Sequence, residues 1–330
     1  MKKINRFKSL WEQFGWKAAF GIAISSFYPY EKHQNNVSYW ILQIKHKCIY
    51  KALEKECFKL RTRSKDRHYA ESVGNQQTDS AGYQKCIWTF WWQGYEAMPE
   101  SIQLCIQNMK RFSNGHPVIV VTRDNWEKYV KLPGHVMKKF QEGTISITHF
   151  SDILRMNLLA RYGGLWLDAG IFPVSKIEED IFCRRFFTRK VPGHKEGNIS
   201  DSRWCAGLMG GMKGYLFFIF MAEAFHEYWR RHDFMADYFL IDYFTAVGYR
   251  HMGKFRNDAD AVSYNNRGLF DFEELLNESY AGQSGNVWKI LSEGNFVRLK
   301  WRNTYRMETS DGLETVYAHL FRQEEMKHDK

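Results

Sequence analysis

Apolar residues change their spacing along this chain, and the changes mark its elements. From Trp40 the apolar positions Ile41, Ile44, Cys48, Ala52, Leu53 and Leu60 recur at helical intervals. Between them stand Lys45, Lys47, Lys51, Lys55, Lys59, Arg61 and Arg63, so the spacing predicts a basic amphipathic helix. Residues 1–63 read as a helical, basic N-terminal extension. Residues 64–84 are polar, glycine-containing and without period, and are expected to be a linker.

After residue 84 strand-like and helix-like patterns alternate. "KCIWTFWW" (85–92) predicts a strand, and Pro99-Glu100 opens a helix running to about Phe112. "PVIVVT" (117–122) has the β-branched density of a buried parallel strand. "RDNWEKYV" (123–130) predicts a short helix, "ISIT" (145–148) a strand, and Phe150–Tyr162 a second long helix. "LWLDAGIF" (165–172) then begins as a strand. This alternation defines an α/β sheet protein, with residues 85–330 as its main domain. Toward the C-terminus, 214–244 reads as one or two helices with a large buried face. Residues 285–305 and 315–321 read as short strands or tail segments.

Composition narrows the class. Apolar residues make up 44% and aromatics 17% of the 330 residues, which is a globular balance. The formal net charge of +10 favours anionic partners, including phosphorylated substrates and acidic lipid surfaces. No zinc-finger spacing, basic zipper or RNP-like motif accompanies it, so nucleic acid is not an expected partner. Six scattered cysteines without a C-x-x-C pair fit a reducing cytosol. The purest N-terminal apolar run, "AAFGIAISSFY", is too short to span a bilayer and lacks a cleavage signal. The expectation is a cytoplasmic protein, with attachment to the inner face of the membrane as an option for the basic helix.

The chemistry concentrates in "HFSDILRMNLLARYGGLWLDAGIF" (149–172). Apolar side chains cover nearly every face of the helix, which marks it as buried. Asp152 and Arg155, three apart, share one face of it. Alone they read as an ion pair in a helix favoured by its dipole, and Ser151 as its N-cap. Gly163-Gly164 ends the helix, because glycine accepts the left-handed conformation common at a C-cap. The next strand stops at Asp168. In open α/β sheets, ligands bind beyond the carboxyl ends of the strands. An acid there can hold a hard cation or accept hydrogen bonds from ribose or sugar hydroxyls.

These segments, taken in order over roughly residues 85–305, resemble bacterial capsular polysaccharide synthesis proteins. Those are similar to glycosyltransferase family 32 and to the sugar-transferring domain of large clostridial toxins. The shared features are S-D-x-x-R on a helix, Y-G-G, a hydrophobic strand and an acidic motif. "CIWTFWWQGYEAMPESIQLCIQNMKRF" and "NWEKYVKLP" match upstream, "DYFLIDYF" and "LKWRNTY" more weakly downstream.

The resemblance implies a GT-A, Rossmann-like nucleotide-sugar-binding sheet and an enzyme that moves a sugar, UDP-linked and with retention of configuration, onto a glycan or lipid-linked acceptor. It implies Trp88, Trp91, Gln93 and Ser151 on the nucleotide. Asp152, Arg155 and Asp168 would serve catalysis, with Asp168 also on a divalent cation (Mn2+ or Mg2+). The usual Asp-x-Asp reads Asp168-Ala169-Gly170 here, so the second metal ligand is missing. Asp237, Asp242 and His319 are further ligand candidates, each also readable as a helix-surface acid or a strand histidine. The rival readings are a non-catalytic nucleotide-sugar or glycan-binding subunit and a sugar-phosphate transferase.

Overall fold

The computed structural model describes residues 2–63, 85–192 and 197–320, so the predicted linker at 64–84 lies outside the described residues. Four N-terminal helical segments come first: α1 (Lys2–Phe14), α2 (Trp16–Phe27), the short α3 (Tyr30–His33) and α4 (Asn36–Arg63). Then follow β1 (Ile87–Phe90), α5 (Glu100–Arg111), β2 (Val118–Val121), α6 (Gly134–Gln141), α7 (Ile147–Tyr162) and β3 (Gly164–Leu167). The rest comprises β4 (Ile171–Pro173), α8 (Glu179–Cys183), β5 (Phe186–Thr188), β6 (Leu208–Gly211), α9 (Leu216–Arg231) and α10 (Leu240–His251). It closes with α11 (Gly253–Asp260), α12 (Tyr280–Ser292) and β7 (Phe296–Arg298).

The main sheet runs β2-β1-β3-β6-β5. β1 pairs parallel with both β2 and β3, whereas β6 pairs antiparallel with β3 and with β5. The sheet is thus mixed, with a parallel half of Rossmann-like type. Alternation along its strands sends side chains to two helical layers. Ile87, Leu165 and Leu167 face α5 through Ile102 and Ile106. Trp88, Phe90 and Trp166 face α7 and α9 through Phe150, Ile153, Phe218 and Phe225. β4 and β7 form a second, two-stranded sheet.

Several local expectations change. "ISIT" is not a strand: Ser146 caps α7, its hydroxyl accepting from the His149 amide at 3.2 Å, and the helix starts at Ile147. A serine N-cap outweighs the β propensity of the isoleucines around it. Ser151 therefore lies inside the helix and is not its N-cap. "RDNWEKYV" contracts to one 3-10 turn, Trp126–Lys128. β2 is parallel as expected, but as an edge strand only Val121 of it is fully buried. In the C-terminal part, Tyr280–Ser292 is helical and only Phe296–Arg298 forms a strand. Residues 316–320 are helical as well, so His319 is not a strand histidine.

The N-terminal helices share a core with the sheet. Leu10, Ala19, Ile22, Ile49 and Leu53 belong to the same apolar cluster as Trp88, Phe225 and Phe244. α4 packs on α10 and α9 as well as on α2.

Candidate active site

A cavity of about 570 Å³ opens at the carboxyl end of β3, lined there by Asp168 and from α7 by Asp152 and Arg155. The glycines of the α7–β3 turn make this approach possible. Gly163 and Gly164 have φ of 72° and 93°, and a Cβ on Gly164 would stand 2.4 Å from the Cys86 carbonyl oxygen. The turn thus lays β3 directly against β1 and brings its last residue beside the helix that precedes it.

Arg155 is the hub. Its Nη2 donates to Asp168 Oδ1 at 2.9 Å and stands 3.3 Å from Asp152 Oδ1, while Nη1 donates to the Ala206 carbonyl at 2.7 Å. The guanidinium lies 4.7 Å from the centre of the Trp166 ring, and the Trp166 indole N–H also donates to Asp168 Oδ1, at 2.9 Å. Arg155 Nε is buried with no hydrogen-bond partner among the described residues. Burial works against the charged form of Asp168, but Arg155, Arg298 and the Trp166 indole N–H outweigh it and hold its carboxyl below the usual range. Beside Asp152, His149 accepts the Trp229 indole N–H on Nε2 at 3.0 Å. An indole can only donate, so the ring hydrogen sits on Nδ1, which faces Asp152 Oδ2 at 3.5 Å.

Four further side chains complete the wall, and the sequence did not single them out for this role. Arg189 is tied to the Asn266 and Arg267 carbonyls at 2.9 and 3.1 Å and covers the Phe270 ring. Arg298, from β7, covers the same ring and lines the cavity. Lys45 and His46 enter from α4, part of the predicted basic N-terminal extension. For Arg189 and Arg298 the local signal was a basic residue inside or just after a short strand, "FFTRK" and "NFVRLK", which is too common to interpret without the fold.

Asp242, in the first turn of α10, also faces the cavity and accepts the Trp204 indole N–H at 2.9 Å. Burial, reinforced by Asp152, pushes its carboxyl up to about 7 against the opposing pull of Trp204 and Arg155. It is a cavity acid and not a helix-surface one. Asp237 instead pairs with Lys45 at 3.1 Å, and His319 stacks on Tyr280 at 3.5 Å and meets Glu314. Neither lines the cavity.

The aromatic expectation divides. Trp88 is fully buried, its indole N–H donating to the Gly163 carbonyl at 3.0 Å and its ring packed against Tyr129 and Tyr162. It holds the sheet to the α7–β3 turn and offers no face to a base. Trp91 and exposed Gln93 stand past the carboxyl end of β1, outside the cavity lining, with Trp91 edge-on to Trp301 at 5.9 Å. Ser151 is buried beside Asp152 on α7.

The expected metal ligand is partly engaged within the protein. Asp168 Oδ1 is already shared by a guanidinium and an indole N–H. A Cβ on Gly170 would stand 2.4 Å from the Leu299 carbonyl oxygen, so a second acid has no room there. Among the described residues, no group of three or more His, Cys, Asp or Glu is placed to hold a metal.

Fold and site together define a mixed-sheet α/β protein whose cavity, lined by both basic and acidic side chains, lies at the carboxyl end of β3. Residues 30–320 match the family described as capsular polysaccharide synthesis protein, and the chain belongs to it. It is 28% identical over 159 residues to the O-glycosyltransferase braB of Annulohypoxylon truncatum, covering 44% of this chain and 38% of that protein. It is 29% identical over 111 residues to the O-glycosyltransferase PaGT of Phomopsis amygdali, covering 31% and 27%. The chain thus spans less than two fifths of the length of the curated relatives it matches.

Proposed function

We propose that the protein is a GT-A glycosyltransferase, akin to family 32, that transfers a sugar from a UDP-sugar donor to a hydroxyl of a growing surface polysaccharide. The carrying observation is the Asp152–Arg155–Asp168 cluster at the end of β3, facing a cavity that Arg189 and Arg298 also line. Family membership and the two O-glycosyltransferase relatives support it.

In the reaction the bond from the anomeric carbon to the diphosphate breaks, a bond to the acceptor oxygen forms and the hydroxyl proton is lost. Charge separates between an oxocarbenium-like sugar and the leaving diphosphate. Arginines suit that leaving group, because their planar donor forks pair with phosphate oxygens. Arg298 and Arg189 hold the diphosphate in this reading, while Asp168 and Asp152 accept hydrogen bonds from ribose or sugar hydroxyls. Trp91 and Gln93, beyond β1, are the side chains proposed for the base and ribose. Retention of configuration is proposed from the resemblance to family 32.

Calorimetric titration of UDP and GDP with manganese and with EDTA, on wild type, Asp168→Asn and Arg298→Ala, tests the reading. UDP is expected to bind equally well in EDTA and to weaken about tenfold or more in Arg298→Ala, the size of a lost charge-assisted hydrogen bond. Binding without turnover of any UDP-sugar would favour a nucleotide-sugar-binding subunit. A folded protein that binds neither nucleotide has another function.

A further inference from the structure

We infer that the N-terminal helical hairpin docks the protein on an anionic lipid bilayer and sets the cavity mouth against it. The hairpin runs through α2 and α4, which are antiparallel: Gly21 of α2 lies against Lys45 and Cys48 of α4, and the chain reverses between residues 28 and 35. The apolar side of α2 that meets α4 and the core is carried by Ala18, Ala19 and Ile22. Its other side is apolar too. Trp16, Phe20 and Phe27 are 58%, 52% and 86% exposed, with Ala23 between them. At i, i+4, i+7 and i+11 these four form one stripe, about 16 Å long at 1.5 Å of rise per residue. Across the turn, Val37 and Trp40 at the start of α4 are 60% and 65% exposed. A surface helix ordinarily presents charge on its outer face, so aromatic residues there call for an apolar neighbour.

Charge selects that neighbour. Lys8, Lys17, Lys32, Lys47, Lys51 and Lys55 are exposed on these helices, whereas Glu12 is paired with Lys8. Glu54 and Glu56, the acids of the middle of α4, are tied to His251 and His232. Aromatic side chains set among exposed lysines match the boundary of a bilayer with anionic headgroups, where rings enter the headgroup region and lysines meet the phosphates. None of these helices is long and apolar enough to cross a membrane, so the contact is interfacial. α1 and α2 precede the residues that match the family, whereas α4 lies within them.

The placement bears on the cavity. Gln34, in the turn of the hairpin, lines the cavity, as do the exposed Tyr238 and Phe239. The tip of the hairpin is thus part of the mouth, and docking brings the mouth to the lipid surface. That a lipid-linked acceptor would be met there rests on the proposed function; the docking itself does not.

The test is flotation of the full chain with phosphatidylcholine vesicles, with and without phosphatidylglycerol, for wild type and Trp16→Ser/Phe20→Ser/Phe27→Ser. Circular dichroism and UDP titration report folding and the cavity independently of lipid. Wild type is expected to float with anionic vesicles and to be released by salt, and the triple variant to lose about tenfold or more in partitioning. Three results overturn the inference: no flotation of wild type with anionic vesicles, flotation unchanged in the triple variant, or a wild-type dimer that the triple variant dissolves. In the last case a second copy covers the stripe.

Discussion

Gly207 and Gly170 shape the surroundings of Asp168 by what they lack. A Cβ on Gly207 would meet Asp168 Oδ2 at 2.5 Å, so the carboxylate keeps its place only beside a glycine. Gly170 meets the Leu299 backbone even more closely, and its carbonyl accepts the Leu299 amide at 2.8 Å. Gly170→Asp is therefore expected to lower the melting temperature without creating metal-dependent UDP binding; a gain of manganese-dependent affinity would show that the strand can move. Asp242 supplies a pH prediction. Its folded pKa, about 7, lies above the ordinary carboxyl value, so the native state holds a proton that the unfolded chain has already lost. Its contribution is fully present below pH about 4 and is lost as pH rises to about 7. Asp242→Asn should remove that slope, so that urea titrations show the variant gaining on wild type between these limits. Equal gaps at both ends would mean the group titrates normally.

At the scale of elements, α7 and α4 show how position changes the meaning of a pattern. α7 is apolar on nearly every face and is buried as its sequence predicts, with Asp152 and Arg155 held by each other, Asp168 and the Ala206 carbonyl. Removing Arg155 alone would take from Asp152 its cation and leave Asp168 to Trp166 and Arg298, and breaking a buried ion pair on one side ordinarily costs about 3–5 kcal/mol. α4 carries a basic stripe, and the same pattern fits an appendage or a wall. Its other face packs inward: Ile49 and Leu53 are in the main core, and His46 contacts Tyr243 and the Gly197 carbonyl, both at 2.6 Å. Leu53→Ala should destabilise the whole protein by about 2–5 kcal/mol, the usual cost of a large-to-small change in a core. A cost below 1 kcal/mol, roughly that of a surface substitution, would return α4 to the status of an appendage.

For the molecule as a whole, a shared core implies shared unfolding. Far-ultraviolet circular dichroism and tryptophan fluorescence should trace one coincident urea transition, because the N-terminal helices share one apolar cluster with the α7-facing side of the sheet. Two resolved transitions would show that the N-terminal helices are a unit of their own. The formal net charge of +10 belongs to this scale too and favours anionic partners.

The sequence by itself determined the α/β alternation, the buried helix with its acid and arginine, and the strand that ends at Asp168. The alternation follows from local spacing over residues 85–172, and the helix and strand end from glycine chemistry and the turn between them, carried within the two dozen residues 149–172. Family likeness was legible there for the same reason. Only the tertiary structure decided which tryptophans are core, since Trp88 and Trp91 differ by the neighbours that β3 and Tyr162 provide and not by their own surroundings in the chain. It alone brought Arg189, Arg298 and Asp242 to the cavity, from segments 34 to 143 residues beyond Arg155. Long-range packing has no period in sequence, and a buried charge shows its role only when its partners are in place.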